Sequence, residues 1–381
     1  MIRTRRPSVS RLLLACSLMA GLLTTSPVAV ASTAAKKPVA QQSGVKAPGA
    51  SRASYPVKAA APHRTGSSAN PSKRPVATNQ PPRKQAQVPQ RQVRPVATAA
   101  VAGSAATAAA VVSVGERMGL RRVQDPLNLN SSVALVMDAE TNEILLGKND
   151  TAVLPIASLT KLMTGVLIAD AQLPMDEMIT ITSADVDRLK NSGSRLAVGS
   201  RLTRGEALHL AMMSSENRAA HALARTYPGG VDHFVRLMNQ KASTLGMSDT
   251  RFVDPTGLSS LNQSSARDLA ILTAASHERS VLRELSTSPG YELDVGRHVL
   301  AYRNSNRLVK SDAWDIGLQK TGFIREAGRC VVMQVNVAGR QLIMVLLDAT
   351  NNNARLGDAE RLRRWVESSL SGAQPLPRSA G

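Results

Sequence analysis

Residues 155–170, PIASLTKLMTGVLIAD, decide how the rest of the chain is read. Placed on a helix, Ser158 and Lys161 stand three residues apart and share a face, so the amine reaches the hydroxyl. That is a nucleophile beside a base. Leu159, Leu162, Met163, Val166, Leu167 and Ile168 leave the helix no broad polar side, and a helix apolar nearly all round is a buried one. A buried lysine needs partners or gives up its charge, and the neutral amine is the form that takes a proton from Ser158. The competing reading is a helix start with Ser158 as N-cap and Lys161 extended into solvent. Spacing alone does not separate the two, because Ser43 and Lys46 match it in a stretch that cannot fold.

The charge is unevenly spread. Residues 1–114 carry 16 Lys and Arg and no Asp or Glu, whereas the remainder carries 31 basic and 28 acidic residues, so nearly all of the net +19 lies in the N-terminal segment. Only the remainder has the composition and length of a domain with a good core. Residues 1–31 read as a secretory leader: Arg3, Arg5, Arg6 and Arg11, an apolar run over 12–23, then Ala29-Val30-Ala31 as a cleavage site. The mature chain is expected to start near Ser32, exported to the periplasm and soluble or peripherally attached, since the apolar run is too short for a comfortable span. Cys16 follows Leu13-Leu14-Ala15 as in a lipoprotein site, but the apolar residues beyond it argue against lipidation, and Arg5-Arg6 raises a twin-arginine route.

Residues 32–113 are Ala, Pro, Lys, Arg, Gln and Ser without period, a composition that cannot offset its ordering entropy and predicts a disordered basic tether. Ten prolines between Pro38 and Pro95 stiffen it. Nucleic acid is excluded as a partner, because an exported chain meets none and Tyr55 is the tether's one stacking aromatic. An anionic wall polymer or membrane surface is the expected partner, against the alternative of a plain solvated spacer. With Cys16 in the leader, Cys330 has no intrachain partner and, in the run CVVMQVNV, reads as a small core residue.

Further along, residues 133–138 and 143–146 flank residues 139–142 in the pattern of a hairpin. Thr203 and Glu206 form a capping box that opens a helix, which runs into Ser214-Ser215-Glu216-Asn217 before a second helix over 218–225. Ser215 to Asn217 is thus a tight turn, whose bland reading is N-capping by Asn217. Helices are expected over 231–245 and 265–277, then strands over 316–323, 330–337 and 341–348, then an amphipathic helix through Ala359, Leu362, Trp365, Val366 and Leu370. Strands at both ends with helices between them give an α+β class: an antiparallel sheet flanked by helices, with a helical subdomain. The domain is placed at 114–372, with a flexible tail at 373–381. Lys320-Thr321-Gly322 falls on the first late strand, where an ammonium and a hydroxyl make a carboxylate receptor and a glycine lets a substrate backbone approach.

The order Ser158-Leu159-Thr160-Lys161, Ser215-Glu216-Asn217, Lys320-Thr321-Gly322 resembles that of the serine penicillin-recognising enzymes, the penicillin-binding proteins and β-lactamases. ASLTKLMT, MMSSENRAA, LGMSDTRFVDPTGLS, SARDL and QKTGF, spread through most of 115–370, are more similar to the low-molecular-mass D-alanyl-D-alanine peptidases, above all to endopeptidases among them. The resemblance implies the β-lactamase/transpeptidase fold, Ser158 as nucleophile, Lys161 as its base, Ser215 as proton relay to the leaving amine and Asn217 as holder of the substrate peptide. It implies Lys320 and Thr321 as carboxylate receptors, Gly322 and Phe323 in substrate binding, and the N–H groups of Ser158 and Phe323 as an oxyanion hole. No cofactor or metal is implied; the partners are peptidoglycan peptide stems and β-lactam inhibitors, and the bond cut is the D-alanyl to diaminopimelate cross-link. The alternatives are a D-alanyl-D-alanine carboxypeptidase, a β-lactamase and a non-catalytic wall-binding protein. A metallopeptidase is set aside because His209, His221, His233, His277 and His298 show no short ligand spacing.

Overall fold

A computed structural model describes residues 112–296 and 298–370; the readings made for the leader, most of the tether and the tail lie outside the described residues. Helix α1 (Val114–Arg117) is followed by strands β1 (Val133–Asp138), β2 (Ile144–Lys148) and β3 (Leu154–Pro155), a 3-10 turn over Ala157–Thr160, and helix α2 (Lys161–Asp170). Strands β4 (Met178–Thr180) and β5 (Arg201–Thr203) precede helices α3 (Arg204–Met213), α4 (Asn217–Arg225) and α5 (Gly230–Thr244). Then come β6 (Gln263–Ser264), α6 (Ala266–His277), α7 (Ser280–Thr287), and the hairpin β7 (Gly290–Asp294) and β8 (Val299–Arg303). The chain closes with β9 (Asp315–Ile324), β10 (Gly328–Val337), β11 (Arg340–Ala349) and α8 (Asn352–Leu370).

The main sheet runs β2-β1-β11-β10-β9 and is antiparallel throughout. It joins the two ends of the domain: Val133 lies opposite Leu347 and Asp138 opposite Leu342. Strands β1 and β11 are buried on both faces, which is why VALVMD and LIMVLLDA are almost uninterrupted apolar runs. Alternate residues feed two cores. Leu135, Val332, Ile343 and Val345 pack with α2, α3, α4 and α6 on one side, and Ala134, Val136, Met344 and Leu346 pack with Ala359, Leu362 and Val366 of α8 on the other. Cys330 belongs to the first core, and burial pushes its thiol up to about 12.

The helical side positions the site. Every residue of α2 from Lys161 to Ile168 is buried, as its all-round apolar sequence predicts. Helix α3 starts at the expected capping box, with the Thr203 hydroxyl accepting from Glu206 N at 3.1 Å and the Glu206 carboxylate accepting from Thr203 N at 2.7 Å. Two expectations are corrected. Ser158, placed on the helix with Lys161, lies in a 3-10 turn before it, and α2 begins at Lys161 because residues 154–155 are drawn into strand pairing with β6. Helix α4 is capped by Glu216, whose carboxylate accepts from Arg218 N at 3.3 Å, and Asn217 is its first residue with the side chain left for other use. Helix α7 and the β7–β8 hairpin were not expected from the sequence. Among the described residues no helix is long and apolar enough to cross a membrane.

Candidate active site

Ser158 sits in the 3-10 turn, half-buried, between two backbone segments that press on it. On one side is the loop 254–259. Gly257 there has φ +82°, and a Cβ would stand 1.9 Å from the Ala157 carbonyl oxygen, so a side chain is sterically excluded. On the other side is β9, where a Cβ on Gly322 would lie 3.0 Å from Ile156 O and 3.1 Å from Ser158 N. The turn is held from below by Ile156 N donating to Asn262 O at 3.1 Å. Strand, turn and loop thus fix Ser158 through main-chain contacts, with glycine at the two closest approaches.

Lys161 is the first residue of α2 and has no exposed surface. Its Nζ lies 2.9 Å from Ser158 Oγ, 2.7 Å from Asn217 Oδ1 and 2.7 Å from the Thr256 carbonyl oxygen. The solvent-extended reading of Lys161 is therefore wrong, and Ser158 makes no capping bond. Burial lowers the amine from its ordinary 10.5 to about 7, against the opposing pull of Asp254 and Glu216. The partner set explains how the neutral form is held: two acceptors without protons, Asn217 and Thr256, keep the two remaining N–H groups, and the lone pair falls to the Ser158 hydroxyl. Amine and hydroxyl stand at hydrogen-bond distance, a geometry in which a neutral amine can take the hydroxyl proton.

The other expected residues converge on the same place. Asn217 donates through Nδ2 to Ser192 Oγ at 2.9 Å, which fixes the amide with its oxygen toward Lys161. Ser215 lies in the turn before it, half-buried at φ +64°, and makes no hydrogen bond to Lys161. On β9, Lys320 is buried and donates to Thr321 O at 2.9 Å, and burial, with the charges of Lys161 and Arg355, holds its amine well below the ordinary value. Thr321 Oγ1 donates to Ser305 Oγ at 2.7 Å. Phe323 is exposed, with the Arg329 guanidinium 3.5 Å above its ring. A cavity of about 610 Å³ opens beside Asn217 and is lined by Asp185, Leu189, His221, Pro255 and Leu258 among others.

Sequence reasoning missed the residues that hold these groups. Asp254 accepts from Thr256 N, Thr256 Oγ1, Gly257 N and Ser259 N, at 2.7, 2.6, 2.8 and 3.0 Å, and so aims the Thr256 carbonyl at Lys161. Asn262 accepts from Val253 N at 2.8 Å and donates to Thr160 Oγ1 at 3.0 Å, joining that loop to the Ser158 turn. The usable signal was local: Asp-x-Thr-Gly is the composition of an Asp-stabilised turn.

Burial of Lys161 also predicts a stability signature. The unfolded chain holds this proton up to about 10.5 and the folded chain only to about 7, so between those values the unfolded state binds more protons and stability rises with pH. Lys161→Met should flatten that rise, measured as unfolding free energy by denaturant between pH 7 and 10; an unchanged slope would mean that Lys161 titrates normally.

The chain is similar to known proteins both in sequence and in fold. Residues 120–351 match the family model described as D-alanyl-D-alanine carboxypeptidase. The chain is 44% identical over 255 residues to a D-alanyl-D-alanine endopeptidase of Pseudomonas aeruginosa, covering 66% of this chain and 82% of that one. It is 41% identical over 252 residues to a D-alanyl-D-alanine endopeptidase of Escherichia coli, covering 66% and 81%. Among solved structures, a mutant DD-transpeptidase of Streptomyces superposes with TM-score 0.58 at 28% identity, over 62% of this chain and 97% of that one. An ampicillin-bound penicillin-binding protein of Listeria monocytogenes superposes with TM-score 0.55 at 29% identity, over 63% and 98%. With a family model matched over more than half its length and a buried lysine set on Ser158, the chain belongs to the D-alanyl-D-alanine carboxypeptidase family of penicillin-recognising serine peptidases.

Proposed function

We propose that the protein is an exported endopeptidase that hydrolyses the D-alanyl to diaminopimelate cross-link of peptidoglycan through an acyl-enzyme on Ser158. The observation that carries the mechanism is the Lys161 amine, buried and 2.9 Å from Ser158 Oγ, with both of its other contacts to oxygens that only accept. Ser158 Oγ attacks the D-Ala carbonyl carbon as its proton passes to Lys161. The oxyanion is received by the N–H groups of Ser158 and Phe323. The C–N bond then breaks, the leaving amine takes a proton relayed by Ser215, and water cleaves the resulting ester. Asn217 holds the peptide group of the substrate. An arriving carboxylate at Lys320 and Thr321 supplies the counter-charge that Lys320 lacks in its buried setting. β-Lactams enter the same sequence with their ring amide as the acyl donor.

Endopeptidase activity is favoured over carboxypeptidase activity by the relatives at 44% and 41% identity, both named endopeptidases. The Lys-Thr pair serves either reaction, because diaminopimelate keeps an α-carboxylate next to the acylated amine. The basic tether is proposed to hold the enzyme on the anionic wall. Binding to purified sacculi is expected to weaken as salt rises, and a chain starting at Val114 is expected to bind less; equal binding at low salt would reduce the tether to a spacer.

Two further experiments test the catalytic reading. Lys161→Ala and Lys161→Arg should abolish labelling by a fluorescent penicillin while keeping a cooperative thermal transition, since guanidinium stays protonated and alanine has no base; normal labelling of either would remove Lys161 from the mechanism. Cross-linked muropeptide dimers should be cut to monomers faster than free pentapeptide loses its terminal D-Ala, and Thr321→Val should slow both. Trimmed pentapeptide with persisting dimers would make the enzyme a carboxypeptidase, and rapid turnover of a chromogenic cephalosporin would make it a β-lactamase.

A further inference from the structure

The segment 187–196 does more than place Ser192 against Asn217: it reaches from the α4 side of Ser158 to the β8 and β9–β10 side, across the groove between them. Its root is firmly fixed. Asp185, with a fully buried side chain, accepts twice from Arg225 at 2.9 Å and meets His221 Nδ1 at 2.7 Å, and Asp187 accepts from the N–H groups of Leu189, Lys190 and Ser192 at 2.8, 3.1 and 2.8 Å. Midway, Ser192 Oγ accepts from Asn217, and Leu196 O accepts from the Arg218 guanidinium. From there two cations cross to the opposite wall. Lys190 Nζ pairs with Glu326 Oε1 at 2.5 Å in the turn between β9 and β10, and Arg195 donates to Ala301 O and lies 3.9 Å over the Tyr302 ring. The segment is a strap tied across the groove.

The groove has a direction. Along β9 the order is Lys320, Thr321, Gly322 against Ser158, then Phe323 and Ile324 before Glu326, so an acyl donor bound with its carboxylate on Lys320 and Thr321 would extend toward Glu326. That exit is the end bridged by Lys190 and Glu326. In an intact wall the donor peptide is joined to glycan at its far end and offers no free end to thread beneath a closed bridge. The bridge is also the weakest tie of the strap. It is a single ion pair between side chains 31% and 25% exposed, and a partly exposed pair of this kind contributes little to stability.

We propose that Lys190 and Glu326 are specificity-determining residues that form a clasp: the pair parts to admit a cross-linked stem sideways and closes over it, so that access to the intact wall depends on clasp opening while small acyl donors enter regardless. The inference rests on the cross-link hydrolysis proposed above. A double variant, Lys190→Cys with Glu326→Cys, joined by a short bismaleimide, locks the clasp; Cys330 has no exposed surface and is spared. The locked enzyme should be acylated by penicillin at the rate of its unjoined form and still cut soluble dimers freed of sugar by an amidase, whose stems have free ends, but its digestion of intact sacculi should fall to background. Glu326→Gln should raise sacculus digestion roughly two- to fivefold, the population change expected from losing one partly exposed ion pair, with penicillin acylation unchanged. Equal sacculus digestion by locked and unjoined forms, with dimers cut by both, overturns the clasp alone. Failure of every form to cut soluble dimers overturns the cross-link reading and the clasp with it.

Discussion

The structure depends on removing one ammonium group from water without leaving it unpaired. Lys161 is fully buried, and its burial lowers the amine to about 7. An isolated buried charge is not tolerated in a protein interior, so the fold must either supply acceptors or let the proton go. Here it supplies two oxygens that can only accept and one hydroxyl that can also donate. The protonated form is thus satisfied, and the neutral form has a single place for its lone pair. The same arrangement that makes the lysine tolerable aims its lone pair at Ser158 Oγ.

Much of the surrounding architecture can be understood as holding those three oxygens in place. Asp254 gathers four donors so that the Thr256 carbonyl points inward; Glu216 takes over capping of α4, which releases the Asn217 amide for Lys161; and Ser192 fixes the orientation of that amide. Each of these is a buried or partly buried polar contact whose loss would strand a neighbour, at about 1–3 kcal/mol per orphaned group. Gly257 and Gly322 allow the loop and β9 to approach the Ser158 turn at distances that a side chain would forbid. The sheet closes the domain by pairing its first strand with its last, and so carries Lys320 and Thr321 to a turn more than 150 residues earlier in the chain.

What the sequence revealed follows from the range of the interactions involved. The sheet strands, the capping box at Thr203 and the burial of α2 were legible because they rest on local periodicity and on residues three or four apart. The start of α2 was misplaced because residues 154–155 pair with 263–264, a contact that no window of local sequence contains. Asn217 was weighed as a cap by its residue type, which is sound locally; it lost that position to Glu216 because its amide is needed 56 residues away in sequence. The carbonyl of Thr256 was invisible for a deeper reason: any residue has one, and only the turn built by Asp254 gives this one its role. The Lys190–Glu326 and Arg195–Ala301 ties join segments more than 100 residues apart and left no mark in the pattern.

The central claim is that Lys161 is poised to lose its proton near neutrality and so to activate Ser158. The most direct measurement is the second-order rate of Ser158 acylation by a penicillin as a function of pH, with the adduct located by peptide mapping. The account requires the rate to rise through about pH 7 and then level as the neutral amine becomes the main form. A rate that stays flat from pH 6 to 9, or that begins to rise only near the ordinary lysine value of 10.5, would contradict it.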